Sequence, residues 1–306
     1  MTTPARWTTA DVPDQTGRTV VVTGANSGVG YETCRALAAH GATVIMAVRD
    51  ERRGQAARDR LLAQSTGTLE VARLDLADLD SVRAFAADLV ERDAPVDVLV
   101  NNAGIGMPPR ALTKQGFESQ FGVNHLGHFA LTGLLLPLLR RGSGARVVTV
   151  SSEAYRNGVI DFDDLNGERS YRPAVAYQQS KLANVLFGLE LDRRLRANRI
   201  PVASTVAHPG FASTNLPNSG ARGLVGLVLR VGNAVLAQSA ERGAWSQLYA
   251  AGAPDVEGGQ FFGPGGLAGM WGHPVLLNPR GQATDPEAAR RLWEVSTDLT
   301  GVEYEF

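Results

Sequence analysis

Apolar positions in this chain gather into short β-branched runs separated by stretches with helical spacing, and the two alternate through the first two thirds of its length. Residues 19–22, Thr19-Val20-Val21-Val22, form an unbroken run of the kind buried on both faces of a parallel sheet. Helical spacing follows over 33–40, with Val29, Leu37 and Ala38 on the apolar face, and Gly41 stops it before a second run at 41–48. Residues 51–64 read as an exposed, charge-rich helix and 71–74 as a third strand. Leu79, Val82, Phe85, Ala86 and Leu89 share one face of a helix over 79–90. Strands at 96–100, 146–150 and 201–206 alternate with helical stretches at 113–139 and 177–198. This βα alternation with short connections predicts an α/β fold, a doubly wound parallel sheet of about seven strands with helices on both faces.

The last third is less regular. Residues 209–223 are rich in turn formers, 224–236 suit one or two short helices, and 241–251 suit another. A short last strand is expected at 259–262, a loop at 263–278 and a terminal helix at 286–297. No change of composition marks a linker, so residues 1–306 read as one domain. Residues 209–240 are expected to lie over the strand ends as a lid that shapes a substrate pocket.

Composition narrows the function classes. With 306 residues and 44% hydrophobic content, the chain can bury a large core. A formal net charge of -1 gives no electrostatic reason to expect a nucleic-acid or anionic-membrane partner. The single cysteine, Cys34, excludes an intrachain disulfide and fits a reducing, cytoplasmic setting; it reads as a small buried apolar residue. No membrane span is expected: 131–139 is short and holds Pro137, and 223–237 is broken by Arg230 and Asn233. Residues 1–15 are polar, with Pro4 and Pro13, and lack the apolar core of a secretion signal.

The first strand runs into Thr23-Gly24-Ala25-Asn26-Ser27-Gly28-Val29-Gly30 and then a helix. This geometry aims backbone N–H groups and a helix N-terminus at a phosphate, and glycines let a pyrophosphate approach the backbone. It makes the sheet Rossmann-type and marks Gly24, Asn26, Ser27, Gly28, Val29 and Gly30 as cofactor-binding candidates. At the end of the second strand an acidic residue would bind a ribose diol, but Arg49 stands there, with Arg52 and Arg53 nearby. A cation pairs with a 2′-phosphate, so NADP is favoured over NAD. Asp50 either swings toward the diol or caps the next helix. Asp75-Leu76 is either a strand-to-helix turn, with Asp78 as the cap, or an adenine contact through the Asp75 carboxylate. Asn101-Asn102-Ala103-Gly104, at the end of the fourth strand, suits an ordinary turn.

Tyr177 and Lys181 lie four residues apart, on one helix face and one turn separated. An ammonium beside a phenol favours the phenolate, and a phenol so poised exchanges protons with an alcohol or carbonyl. Ser152 ends the fifth strand with no histidine or carboxylate placed to make it a nucleophile. Asn124, inside an apolar helix, needs partners for its amide. His125 and His128 stand three apart, but no third ligand is visible, and a packed or surface pair outweighs a metal site. His208-Pro209-Gly210 makes a sharp exit from the sixth strand, and His208 reads as structural.

In this order and spacing, Gly-x-x-x-Gly-x-Gly, Asn-Asn-Ala-Gly, Ser152 and Tyr177-x-x-x-Lys181 resemble the short-chain dehydrogenase/reductase family over roughly residues 18–214. The resemblance implies that Asn102, Ala103 and Gly104 close over the cofactor, and that Pro209, Gly210 and Thr214 hold its carboxamide. It implies that Ser152 binds the substrate oxygen, that Tyr177 and Lys181 move the proton and touch the cofactor, and that Asn124 holds a water linked to Lys181. Asn124-His125-Leu126-Gly127-His128-Phe129 and the run from Ala176 to Asn184 resemble the retinol dehydrogenase and protochlorophyllide reductase branch. That branch implies NADP and an apolar carbonyl or alcohol as small-molecule substrate. The alternatives are a non-catalytic NADP(H)-binding sensor or scaffold and a carbon–carbon double-bond reductase. The apolar stretch 223–238 suits an apolar ligand and, equally, packing between subunits of a homo-oligomer.

Overall fold

The computed structural model describes residues 6–210, 239–266 and 269–306. Its strands are β1 (Thr19–Thr23), β2 (Thr43–Val48), β3 (Thr68–Arg73), β4 (Val98–Asn101), β5 (Ala145–Val150), β6 (Val202–Ala207), β7 (Phe261–Pro264) and β8 (Pro274–Leu277). They form one sheet in the order β3-β2-β1-β4-β5-β6-β7-β8, parallel up to β7 and antiparallel at β8. The order reverses between β1 and β4, so the connections leaving these two strands wind to opposite faces and open a crevice at their carboxyl ends.

Alternation along the strands divides the core. Val20, Val22, Val44, Met46, Val98 and Val100 face the helices Gly28–Ala39 (α1) and Ala240–Gly252. Val21, Ile45, Leu99 and Val147 face the helices Leu79–Glu91 (α3) and Gly127–Leu139 (α5). The helix Glu51–Leu62 (α2) covers β2 and β3, and Pro173–Ala197 (α6) lies against β5 and β6. All three β1 valines are fully buried, each contributing about 1.5–3 kcal/mol of burial.

Three expectations need correction. The loop expected over 263–278 contains β8, which makes the sheet eight strands wide. Four residues headed by a buried Pro274, with Leu276 exposed, carry too short an alternation to read as a strand, yet a proline is tolerated at the first position of an edge strand. The helix expected over 113–139 begins only at Ser119 (α4, Ser119–Phe121), because Gly116 at φ 87° turns the chain and Glu118 caps the new helix. α4, a π turn over Gly122–Leu126 and α5 then run on without a break. The resulting segment Ser119–Leu139 is long and apolar enough to cross a membrane by length and composition, and it is mostly buried in the core. α6 starts at Pro173, ahead of Tyr177, because proline suits a first helical position.

The C-terminal helix Pro286–Thr300 and the tail after it close over α5 and α6. Trp293 packs its ring against Phe129, Phe187 and Tyr304 at 5.1, 5.9 and 4.6 Å between centroids. The Tyr304 hydroxyl donates to the Phe129 carbonyl at 2.7 Å. Trp293→Ala is expected to destabilise the fold by about 3–5 kcal/mol, read as a lower urea midpoint. An unchanged midpoint would show that this cluster does not anchor the tail.

Candidate active site

The carboxyl end of β1 delivers Gly24 at φ 68° and Gly28 at φ 58°, a left-handed backbone that glycine adopts without strain. The turn is clamped against the one leaving β4. Thr23 Oγ1 accepts the N–H groups of Asn102 and Ala103, each at 2.9 Å, and Asn102 Nδ2 donates to the Thr23 carbonyl at 2.7 Å. A Cβ on Gly30 would stand 2.5 Å from Asn102 Nδ2 and 2.6 Å from the Gly24 carbonyl, so no larger residue fits. Gln247 reaches in from the Ala240–Gly252 helix and donates to Asn102 Oδ1 and Thr33 Oγ1.

Ser27 is the N-cap of α1, but its side chain makes no capping bond, which leaves the first-turn N–H groups to an anion. The glycine cradle and these donors fit a dinucleotide pyrophosphate. At the end of β2, Asp50 caps α2 by accepting the Arg53 N–H at 3.2 Å and pairs with the Arg53 guanidinium at 3.6 Å. Arg49 is exposed, with no ion pair among the described residues. Asp75 closes its own turn, accepting from the Ala77 N–H at 3.0 Å, Leu76 is buried, and Asp78 caps α3 as the sequence suggested.

The candidate proton-transfer groups gather beside this turn. Tyr177 and Lys181 share a face of α6, with Lys181 Nζ 5.9 Å from the tyrosine ring centre. Nζ is buried and donates to the Val150 carbonyl at 3.2 Å. A Cβ on Gly104 would lie 3.3 Å from both Lys181 Nζ and Asn124 Oδ1, so Gly104 brings the β4 turn close to both. Ser152 follows β5, accepts the Ala154 N–H at 3.3 Å to cap the short helix Glu153–Asn157, and stands near enough to the Tyr177 side chain to favour its ionised form. Asn124 sits inside the π turn. Its Oδ1 accepts the Ile105 N–H at 2.8 Å, and its Nδ2 donates to the Ile105 carbonyl and Ser180 Oγ at 3.0 and 2.9 Å. The buried amide thus has the partners that its environment demands.

The electrostatics depart from the sequence expectation in one respect. Burial pushes the Tyr177 phenol above its ordinary value, and the nearby Ser152 hydroxyl pulls it back; the ammonium is not what dominates. Burial likewise pushes Lys181 down from 10.5 to about 8. The same desolvation opposes each charge singly and opposes least the phenolate–ammonium pair, which has no net charge.

The remaining candidates divide. His208 Nδ1 accepts the Gly210 N–H at 3.1 Å, its Nε2 faces Glu153 at 3.3 Å, and burial lowers it to about 4, so it braces the Pro209-Gly210 turn. Thr214 and residues 211–238 of the expected lid lie outside the described residues. His125 and His128 are buried but turn to different partners, Ser296 Oγ and Thr23 Oγ1 respectively. Four supports escaped the sequence reading: Thr23, Ser180, Ile105 and Gln247. The threonine before the first glycine was the one available signal; the others are brought in by packing across the chain.

A family profile described as short chain dehydrogenase matches residues 18–222. Polyprenol dehydrogenase of Mus musculus is 44% identical over 95% of this chain and 86% of its own length. Retinol dehydrogenase 14 of Mus musculus is 42% identical over 94% and 86%. Among solved structures, an uncharacterized protein from Mycobacterium paratuberculosis is 46% identical with a TM-score of 0.82, covering 98% of this chain and 100% of that one. The Pseudomonas aeruginosa RhlG/NADP active-site complex is 26% identical with a TM-score of 0.64, covering 80% and 94%. With a glycine turn, an asparagine turn and a serine–tyrosine–lysine group at one crevice, the chain belongs to the short-chain dehydrogenase/reductase family, in its retinol dehydrogenase-like branch, and is a nicotinamide-dependent oxidoreductase.

Proposed function

We propose that this enzyme interconverts an apolar aldehyde or ketone and its alcohol with NADP(H), Tyr177 moving the proton. The observation that carries this reading is the meeting of Tyr177, Ser152, Lys181 and Asn124 beside the glycine and asparagine turns. A bound nicotinamide supplies or takes the hydride. Ser152 Oγ holds the substrate oxygen, and the Tyr177 hydroxyl gives that oxygen its proton in reduction or removes it in oxidation. Lys181, held by the Val150 carbonyl, stabilises the phenolate that results. Asn124 is fixed by Ile105 and Ser180 where it can hold a water leading away from Lys181.

Arg49 supports the phosphorylated cofactor, since it is free to pair with a 2′-phosphate while Asp50 is committed to its helix cap. The names of the relatives, polyprenol and retinol dehydrogenases, support a long apolar alcohol or its aldehyde as substrate.

A panel of aldehydes from hexanal to retinal, followed by loss of NADPH absorbance, tests the activity. Tyr177→Phe is expected to lower turnover by at least about a thousandfold while leaving NADPH affinity within about threefold. Retained turnover would refute the proton assignment. Arg49→Asp is expected to weaken NADPH by about tenfold or more and to spare NADH; unchanged selectivity would remove Arg49 as the determinant.

Lys181 also makes stability depend on pH. Its ammonium is protonated in both folded and unfolded chains below pH 8, so the burial penalty is fully present there. As pH rises from about 8 to 10.5 the folded chain gives up the proton first, and the penalty is relieved. Lys181→Met is therefore expected to lose turnover yet gain up to roughly 3 kcal/mol at pH 7, a gain that fades toward pH 10. A constant loss of stability at both pH values would contradict it.

A further inference from the structure

His128 is fully buried on α5, one turn after Asn124. Its Nδ1 stands 2.9 Å from the Asn124 backbone carbonyl, its Nε2 2.9 Å from Thr23 Oγ1. A carbonyl oxygen only accepts, so Nδ1 carries the hydrogen. Burial lowers this ring to about 4, so at neutral pH it holds a single proton and Nε2 is an acceptor. The Thr23 hydroxyl must then donate to Nε2; the alternative acceptor, the Val100 carbonyl, is farther at 3.4 Å. With its one hydrogen directed to His128, Thr23 Oγ1 presents lone pairs to the N–H groups of Asn102 and Ala103, and every valence of the hydroxyl is used.

We propose that His128 is a positioning residue: its tautomer, fixed by these contacts, joins the cofactor turn on β4 to the backbone of Asn124. The chain of bonds runs from the Asn124 carbonyl through the imidazole to Thr23 and from there to Asn102 and Ala103. One nitrogen orients the asparagine inside the π turn. The other sets the hydroxyl that holds the Asn102–Ala103 peptide under the glycine turn. This rests on the reading of Asn124 as part of the proton path, whereas the Thr23 arm bears on cofactor binding alone.

The two arms separate experimentally, because Asn and Gln each reproduce one ring nitrogen. His128→Asn keeps a donor at the Nδ1 position and loses the acceptor for Thr23. Its NADPH dissociation constant is expected to rise about tenfold with kcat on retinal within about threefold. His128→Gln keeps an acceptor at the Nε2 position and loses the donor to Asn124. Its kcat is expected to fall about tenfold with NADPH binding within about threefold. Thr23→Val should match the binding loss of His128→Asn, and the double variant should lose no more than either single one. Parallel losses of kcat, binding and melting temperature in both His128 variants would overturn the proposal in favour of a packing role, as would additive binding losses with Thr23→Val. If Tyr177→Phe retains turnover, the proton reading fails separately, and the binding arm still decides whether His128 and Thr23 act together.

Discussion

β1 and β4 lie side by side in parallel register, Val21 opposite Leu99, and end at the same level. The chain leaves them toward opposite faces of the sheet, so their turns meet over a gap that neither connection fills. One hydrogen-bonded contact fixes how they meet: Thr23 accepts two bonds from Asn102 and one from Ala103 across the seam, and Gly30 packs where a methyl group would collide with both turns. Widening that seam would move the N-terminus of α1 away from the asparagine turn. Gly104 would lose its proximity to Lys181 and Asn124 as well. The site depends on this junction more than on any single side chain in it.

Burial that stabilises the sheet also sets the chemistry. A lysine held under β5 with one backbone carbonyl as partner and a tyrosine whose own desolvation disfavours ionisation would be poor acids and bases alone. Side by side, the Lys181 ammonium offsets the charge that Tyr177 takes on when its proton goes to a substrate oxygen, so the pair suits an alcohol–carbonyl conversion better than either group alone. Asn124 illustrates the same constraint without ionisation. A polar amide inside a long apolar helical segment is tolerable only because Ile105 and Ser180 satisfy it, and those bonds hold the π turn that presents it.

Much of this was legible in the residues. β-branched runs gave the parallel strands, because strands buried on both faces need nothing but apolar side chains, and the glycine spacing located the turn after β1. Helical period puts Tyr177 and Lys181 on one face, but that spacing is common, and they became legible as a site only in order with the glycine turn, Asn102 and Ser152 along the chain. The rest was hidden for physical reasons. β8 is too short for alternation to register, and the π turn at Gly122–Leu126 preserves an ordinary helical pattern while shifting its bonds by one residue. His125 and His128, three apart in an apolar run, look like a pair. Only the tertiary structure turns one toward Ser296 on the C-terminal helix and the other toward Thr23 on β1. The direction of the Tyr177 shift was misread because spacing reports the ammonium but not the burial of both groups.

The central claim is that the turn after β1 and the Ser152–Tyr177–Lys181 group serve one bound dinucleotide. A crystal structure of the full chain with NADP tests it most directly. The account expects the pyrophosphate on the N–H groups of residues 28–30, the 2′-phosphate beside Arg49, and the nicotinamide ring facing the Tyr177 hydroxyl. A dinucleotide bound with its nicotinamide away from Tyr177 and Ser152, or with its pyrophosphate off the glycine turn, would contradict it.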